Sequence, residues 1–338
     1  MAQSTHIPRA FITGASGFLA TQIILLLLER GYHVVAAVRS QAKADAWCSL
    51  YPQHLEQGQI HFVVVRDMQE DGAYDDAVQG ADIIFHTASP FSFTFEDNER
   101  DMLIPARKGA LSVLESAMKA DTIRKFIYTS SFAAVTSPHL DPRPGYIYSE
   151  NDWNPVQWDE AVASTDKHFV YLASKTFAEQ AVWDFARTRT PHFSITRRVA
   201  LLFFHLAFHK RIYSPALHLG CRVLDRLIDA HEMPRTPAYV CVDVKDCALC
   251  HVKAAETDVS RGQRYLTVGS PFSQPSAAQT IARLFPEQAH RLPSAGDQVN
   301  HYGYSSARAE KDLGIRWTSF ETTIQETFQQ LLDIKGPF

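Results

Sequence analysis

The sequence has little cysteine, no surplus of positive charge and no long apolar run. Five cysteines in 338 residues are too few for a disulfide scaffold, and their odd number favours a reduced chain. The formal net charge is -4, so the sequence lacks the excess of Lys and Arg typical of a general nucleic-acid binder. No apolar run approaches the roughly 20 residues that span a bilayer, and Met1–Arg9 has no signal-peptide core. We expect a cytoplasmic protein without nucleic-acid or membrane partners.

Short apolar segments alternate with helical patterns through the first half of the chain. Strands of the fully buried type are predicted at Ala10–Thr13, Val34–Val38, Ile60–Val65, Ile83–His86, Lys125–Thr129 and Phe193–Thr196. Helices are predicted at Phe18–Arg30, with Gly31 as its C-terminal cap, at Asp101–Lys119 and at Ser164–Arg189. Pro138–Pro155 is predicted to be a loop. The alternation predicts an α/β fold, a Rossmann-type doubly wound parallel sheet, followed by a smaller C-terminal lobe.

A glycine-containing turn follows the first predicted strand. Gly14 and Gly17 let the backbone turn tightly into the next helix, whose exposed amides then face a pyrophosphate. The spacing Gly-x-x-Gly-x-x-Ala departs from Gly-x-Gly-x-x-Gly, although Ala20 still permits close packing of helix and strand. An ordinary strand–turn–helix with two glycines is the alternative.

Basic residues stand at the end of the second predicted strand. Arg39 ends the strand and Lys43 follows four residues later. An acidic residue here receives a ribose 2′-hydroxyl, whereas a cation suits a 2′-phosphate. Arg39 therefore indicates NADP, with a solvated basic side chain as the alternative.

Tyr171 and Lys175 are four residues apart in a predicted helix, so both side chains lie on one face. A nearby ammonium favours phenolate, and we expect Lys175 to depress the pKa of Tyr171 so that it exchanges a proton near neutral pH. Ser130 and Ser131 end the fifth strand, at the sheet edge where ligands bind. Tyr-x-x-x-Lys alone is a weak match, but the glycine turn, the strand-end serine and this helix together form a much stronger signal.

The sequence resembles the extended short-chain dehydrogenase/reductases, in the dihydroflavonol-4-reductase-like branch, and most of all the fungal NADPH-dependent aldehyde, ketone and methylglyoxal reductases. The resemblance covers nearly the whole chain. It is carried by Thr13–Ala20, Val38–Lys43, His86-Thr-Ala-Ser-Pro-Phe91, Lys125–Val135, Tyr171–Trp183, Val240–Ala255 and Gly303–Gly314.

The resemblance implies a role for each matched position. The pyrophosphate would lie along Gly14, Ala15, Ser16, Gly17, Phe18 and Leu19, and the 2′-phosphate on Arg39 and Lys43. The adenine would lie by Asp67 and Met68, and the nicotinamide near Thr87 and Ala88. Ser131 would polarise the substrate carbonyl, Tyr171 would protonate the developing alkoxide, and Lys175 would bind the nicotinamide ribose and tune Tyr171.

Two segments depart from the family pattern. Arg197–Arg211 lacks the Pro-containing turn and the Gly-Pro pair that normally close over the nicotinamide, which puts cofactor closure in doubt. Thr136 stands where flavonoid reductases of the branch carry an asparagine, which argues against a flavonoid substrate. Four aromatic side chains suggest either an apolar pocket or simple core: Phe91, Phe93, Phe132 and Tyr146.

Two further patterns have ordinary explanations. Cys247-Ala-Leu-Cys250-His251 matches a haem-attachment pattern, but we interpret it as a helix packed through small cysteines and expect no metal. His86 is interpreted as a packed strand-end residue rather than a proton shuttle.

These observations predict an NADPH-dependent ketone or aldehyde reductase acting on a small-molecule carbonyl, as a monomer or homodimer. A role in secondary metabolism and one in detoxification are both open. The alternatives are a catalytically impaired NADP-binding regulatory protein, and a sterol-type dehydrogenase or sugar epimerase of the same superfamily. Residues 1–190 are predicted to form the NADP-binding domain, with returning elements from 193–200 and 238–255. Residues 200–338 are predicted to form the substrate lobe, fused in one unit.

Overall fold

Strands and helices alternate along the chain. The computed structural model describes residues 7–90, 94–136, 142–200, 203–204, 219–236, 238–294, 296 and 299–335. The strands in these ranges are β1 (Arg9–Thr13), β2 (His33–Val38), β3 (Ile60–Val64), β4 (Ile83–His86), β5 (Lys125–Ser131), β6 (Ile147–Tyr148), β7 (Ser194–Ala200), β8 (Phe203–Phe204), β9 (Val240–Asp243), β10 (Arg264–Thr267), β11 (Ser270–Pro271) and β12 (Gly303–Tyr304). The α-helices are α1 (Phe18–Glu29), α2 (Gln41–Leu50), α3 (Pro52–Glu56), α4 (Ile104–Met118), α5 (Trp158–Ala163), α6 (Lys167–Arg189), α7 (Leu219–Asp225), α8 (Val244–Glu256), α9 (Gln274–Leu284), α10 (Ala307–Leu313) and α11 (Phe320–Lys335).

Seven parallel strands form the main sheet, in the order β3-β2-β1-β4-β5-β7-β10. The chain moves outward from β1 in one direction through β2 and β3, and in the other through β4 and β5. The crevice outside the carboxyl ends of β1 and β4 is therefore the switch point at which such sheets bind ligands. The predicted doubly wound Rossmann-type fold is confirmed.

Helices cover both faces of this sheet. On one face α1 packs against α8, and on the other α4 packs against α6. The neighbouring strand residues Ile12 and Phe11 are both fully buried, one in each of the two hydrophobic cores. Burial on both faces explains why the strands read as continuous apolar runs.

Local chemistry sets the helix ends. α6 begins at Lys167 rather than at the predicted Ser164, because the Asp166 carboxylate caps it by accepting from the His168 amide at 2.8 Å. Gly31, with φ +78°, follows the end of α1, as expected for a cap glycine. The predicted helix Asp101–Lys119 corresponds to a π-helical turn at Glu99–Leu103 that continues into α4.

The last strand of the main sheet comes from a part of the chain for which the sequence analysis named no element. β10 has only four residues and begins with the charged Arg264, so its apolar pattern is too short to be recognised. Two small sheets, β11-β9-β8 and β12-β6, lie outside the main sheet. β6 falls within Pro138–Pro155, so that segment is not wholly a loop. α7, α9 and α11 enclose a third apolar core.

Among the helices described, none combines the length and apolar character needed to cross a bilayer.

Candidate active site

The turn between β1 and α1 brings the helix N-terminus to the carboxyl edge of the sheet. Gly14 has φ +67°, and a Cβ added there would lie 3.0 Å from the Cα of Ala88, so only glycine fits without strain. The Gly17 amide donates to the Gly14 carbonyl at 2.8 Å, and Gly17 is the N-cap of α1. Ser16 and Gly17 are exposed. The turn thus brings the N-terminus of α1, where backbone amides point outward along the helix axis, to the surface at the carboxyl edge of the sheet.

The end of β4 is hydrogen-bonded to this turn through Thr13. The Thr13 hydroxyl oxygen accepts from the backbone amides of Thr87 and Ala88, each at 3.2 Å, and the Thr87 hydroxyl donates to the Thr13 carbonyl at 2.6 Å. Nδ1 of His86 lies 2.8 Å from the same Thr13 hydroxyl. Burial, with a smaller contribution from the charge of Lys175, lowers the pKa of His86 to about 3. His86 is a packed strand-end residue, as predicted.

The candidate adenosine residues lie after β2 and β3. Arg39 and Lys43 are exposed, at the end of β2 and in the first turn of α2. The Asp67 carboxylate accepts from the Gln69 amide at 2.8 Å. The Met68 side chain packs so closely on α4 that a Cβ at Gly109 would meet it at 2.2 Å. Met68 is thereby held at the same edge of the sheet as the glycine turn.

Ser131, Tyr171 and Lys175 converge across the gap between β5 and α6. The Ser131 hydroxyl accepts from the Ala133 amide at 3.2 Å and is hydrogen-bonded to the side chain of Tyr171. Nζ of Lys175 lies 5.0 Å from the centroid of the Tyr171 ring. Lys175 donates to the Ser89 hydroxyl and, at 3.4 Å, to the Pro90 carbonyl. The three predicted residues therefore form one cluster.

The electrostatics of this cluster differ from the expectation. Burial raises the pKa of Tyr171 to about 12, against a smaller lowering by the hydrogen bond with Ser131. Burial also lowers the pKa of Lys175 to about 7. The prediction that Lys175 depresses the pKa of Tyr171 is wrong, because desolvation disfavours the charged forms of both groups.

Three residues at the site were missed by the sequence analysis. The Ser89 hydroxyl accepts a hydrogen bond from the Lys175 amine. Glu179, four residues after Lys175 on α6, forms a buried ion pair with Arg264 at 2.6 Å and accepts from the Ser130 hydroxyl. Ser89 lies inside the His86–Phe91 motif, and Glu179 repeats the four-residue spacing after Lys175, so both had a signal. Arg264 had none, since it reaches Glu179 from 85 residues away.

The suggested apolar pocket is only partly described. Phe91 and Phe93 lie outside the described residues. Phe132 is 3% exposed and packs edge-on against Tyr148, so it belongs to the core. The Tyr146 ring is covered by the Arg143 guanidinium at 3.3 Å, and its hydroxyl is bonded to Asp152. These contacts leave the described aromatic residues as packing elements.

Thr136 and part of Arg197–Arg211, the two departures from the family pattern, lie within the described residues. The Thr136 hydroxyl is buried and donates to the Phe132 carbonyl at 3.3 Å. The first four residues of Arg197–Arg211 form the end of β7, paired with β5 and β10. Of the remainder, only 203–204 lie within the described residues, as β8.

The Cys-x-x-Cys-His segment lies within α8, whose N-cap is Asp243. Cys247, Cys250 and His251 are buried, and Nε2 of His251 lies 2.9 Å from the Thr129 hydroxyl. This is the packed helix that the sequence analysis described.

The chain is similar to reductases along its whole length. The 3-beta hydroxysteroid dehydrogenase/isomerase family matches residues 11–185. The ketoreductase azaE of Aspergillus niger is 31% identical over 96% of this chain and 98% of its own. The NADPH-dependent methylglyoxal reductase GRE2 of Saccharomyces cerevisiae is 29% identical over 96% of this chain and 98% of its own. The crystal structure of yeast methylglyoxal/isovaleraldehyde reductase Gre2 complexed with NADPH superposes with a TM-score of 0.90 at 27% identity, covering 98% of this chain and 100% of that one.

Proposed function

The chain belongs to the 3-beta hydroxysteroid dehydrogenase/isomerase family, and from this we propose that it is an NADPH-dependent carbonyl reductase. It reduces an aldehyde or ketone of a small or medium-sized apolar metabolite to the alcohol. The observation that carries this proposal is the convergence of Ser131, Tyr171 and Lys175 at the carboxyl edge of the sheet. Similarity to a fungal ketoreductase and to a yeast NADPH-dependent reductase supports it. A step in secondary metabolism is one setting for this reaction.

The residues at the sheet edge fit NADPH. A Cβ on Gly14 would collide with Ala88, so glycine at this position lets the turn before α1 lie directly against the end of β4, where the N-terminus of α1 meets the switch point of the sheet. Gly14, Ala15, Ser16, Gly17, Phe18 and Leu19 would hold the pyrophosphate. Arg39 and Lys43 would hold the 2′-phosphate, Asp67 and Met68 would flank the adenine, and Thr87 and Ala88 would lie beside the nicotinamide. Lys175 would bind the nicotinamide ribose.

The chemistry divides between cofactor and chain. When bound, NADPH supplies the hydride that adds to the carbonyl carbon. Tyr171 donates its phenolic proton to the carbonyl oxygen as negative charge develops there. Ser131 orients the carbonyl and donates a hydrogen bond to the same oxygen. Lys175, once protonated, stabilises the phenolate left on Tyr171 by its positive charge.

The two lobes have separate tasks in this proposal. Residues 1–190, with 193–200 and 238–255, bind the cofactor. Residues 200–338 form the substrate lobe and set which carbonyl compound enters.

The test is a titration of the protein with NADPH and with NADH, followed by turnover. A mixed aldehyde and ketone panel is added, and NADPH oxidation is followed by absorbance. We expect tight NADPH binding, weaker NADH binding and oxidation that depends on the carbonyl compound. NADPH binding without turnover across the panel would favour a cofactor-binding regulatory protein, and no binding would overturn the proposal.

A further inference from the structure

A buried ion pair lies one helical turn beyond Lys175. Glu179 follows Lys175 by four residues on α6, so the two share a helix face with Tyr171. The Glu179 carboxylate accepts a hydrogen bond from Nε of Arg264 at 2.6 Å and another from Nη2 of Arg264 at 3.0 Å. The side chain of Arg264 is 4% exposed and that of Glu179 is fully buried. The desolvation of such a pair offsets most of its attraction, so stability alone does not account for it.

Glu179 binds two further donors. The Ser130 hydroxyl donates to its Oε2 at 2.5 Å, and the Trp183 indole donates to its Oε1 at 3.3 Å. The carboxylate thus accepts four hydrogen bonds, two at each oxygen. Ser130 is the residue immediately before Ser131, so Glu179 is tied to the end of β5.

Arg264 binds the chain on the other side of Ser131. Its Nη2 lies 3.4 Å from the Ala134 carbonyl, which also accepts from the Asn154 amide at 3.0 Å. Its Nη1 donates to the carbonyls of Glu150, at 3.0 Å, and Asp152, at 2.5 Å. Arg264 therefore fastens the loop after β6, and the short turn that follows Ser131, to the carboxylate on α6.

Ser131 is consequently held from both sides. The residue before it is bonded to Glu179, and the turn after it is bonded to Arg264. The bond at Ser130 joins the end of β5 to α6, while the Ser131 hydroxyl keeps its own contacts with the Ala133 amide and Tyr171. The partner of Ser131, Tyr171, stands on the same helix as Glu179.

We propose that Glu179 and Arg264 are positioning residues that fix the Ser131 hydroxyl at hydrogen-bonding distance from Tyr171. This inference rests on the proposed reductase function for its kinetic consequence. Neither residue touches the reacting groups in this proposal; both act through the backbone around Ser131. A displacement of about 1 Å at a catalytic group lowers the rate on the order of 10²-fold. A rigid connection between β5 and α6 is therefore expected to raise kcat by keeping Ser131 in place.

The test replaces the whole pair, because a single substitution leaves one buried charge without its partner and endangers folding. In Glu179→Met/Arg264→Met, two apolar side chains of similar length fill the site. The matched control is Glu115→Met/Arg189→Met, an exposed ion pair at 2.7 Å between α4 and the same helix α6. We expect the first variant to have a lower thermal midpoint, because Ser130, Trp183 and the carbonyls of Glu150 and Asp152 lose their partners. Assayed well below that midpoint, it should keep its NADPH affinity but lose at least about 10-fold in kcat. KM for the carbonyl changes far less, and the control keeps wild-type kinetics.

A second readout does not require turnover. With carbon-13-labelled tyrosine, the resonance of Tyr171 is assigned by its loss in Tyr171→Phe and reports the hydrogen bonding of the phenol. We expect Glu179→Met/Arg264→Met to move this resonance towards its position in Ser131→Ala. A folded double variant with wild-type kcat or an unmoved resonance overturns the positioning role. If the wild-type chain reduces no carbonyl but the resonance moves, the proposed function fails while the positioning of Ser131 stands.

Discussion

Tyr171 and Lys175 are mutually close, with the amine nitrogen 5.0 Å from the phenol ring centroid, yet both are neutral over a wide pH range. Burial holds the pKa of the phenol at about 12 and that of the amine at about 7. At a pH between these two values Tyr171 is protonated and Lys175 carries no charge. A bound dinucleotide, which is negatively charged, favours the ammonium form and changes this balance.

We therefore expect NADPH binding to take up a proton at Lys175. At about pH 8 the free amine is mostly neutral, whereas the bound amine is protonated, so uptake approaches one proton; well below pH 7 this contribution disappears. By the same linkage, NADPH affinity falls as the pH rises above 7. Calorimetry in buffers of different ionisation enthalpy measures the uptake, and Lys175→Met provides the reference. Equal uptake in the two proteins would assign the proton to another group.

Tyr171→Phe removes the proposed proton donor and leaves the ring in place. We expect kcat to fall by about 10²–10⁴-fold, the usual contribution of a positioned general acid, with NADPH affinity nearly unchanged. Steady-state kinetics and a cofactor titration measure the two effects. Tyr51→Phe, at a buried tyrosine that packs on Trp47 after α2, serves as the control and keeps full turnover. Wild-type kcat in Tyr171→Phe would rule out the mechanism.

Comparing Gly14→Ala with Gly58→Ala separates the effect of a strained left-handed backbone from the effect of a steric clash with Ala88. Both glycines have positive φ, +67° and +63°, but a Cβ at Gly58 meets nothing within 4 Å, whereas one at Gly14 meets Ala88 at 3.0 Å. We expect each to lose about 1–2 kcal/mol of unfolding free energy from the left-handed backbone. Only Gly14→Ala should also weaken NADPH binding, by at least about 10-fold, as the turn moves off Ala88. Denaturant unfolding and cofactor titration of both variants provide the comparison, and equal cofactor affinity would refute a pyrophosphate role for this turn.

Arg39→Asp tests the cofactor preference. A charge-assisted hydrogen bond is worth about 1.5–3 kcal/mol, so we expect NADPH affinity to fall by about 10- to 100-fold while NADH affinity stays constant or rises. Arg187→Asp, on the exposed end of α6, removes an equal charge far from the switch point and leaves both affinities unchanged. Parallel titrations with the two cofactors measure the ratio, and a matched loss for both would exclude contact with the 2′-phosphate.

Those parts of the candidate site that depend on residues close together in sequence could be predicted from the sequence. The glycine turn, the spacing of Tyr171 and Lys175 and the strand-end position of Ser131 follow from neighbours in sequence, and the fold brings these residues to one edge. The direction of the Tyr171 pKa shift did not follow, because it depends on burial, which is a property of the packed molecule. The start of α6 at Lys167 likewise could not be predicted without knowing that the Asp166 carboxylate accepts a hydrogen bond from the His168 amide.

The features that the sequence did not predict depend on contacts between residues far apart in the chain. Arg264 is separated from Glu179 by 85 residues, and a lone arginine before three uncharged residues does not predict a buried sheet edge. β10 is therefore a seventh strand of the main sheet that the hydrophobic pattern of the sequence did not predict.

The placement of β10 also bears on how the protein is made. A nascent chain that has reached only the end of α6 already contains every predicted cofactor residue and the whole candidate triad, but it lacks Arg264. Glu179 then has no cationic partner, and exposing it to water is easier than burying it alone. We expect the amino-terminal portion to complete its folding only after β10 has been made, so that the cofactor-binding residues reach their final arrangement when about four fifths of the polypeptide has been synthesised.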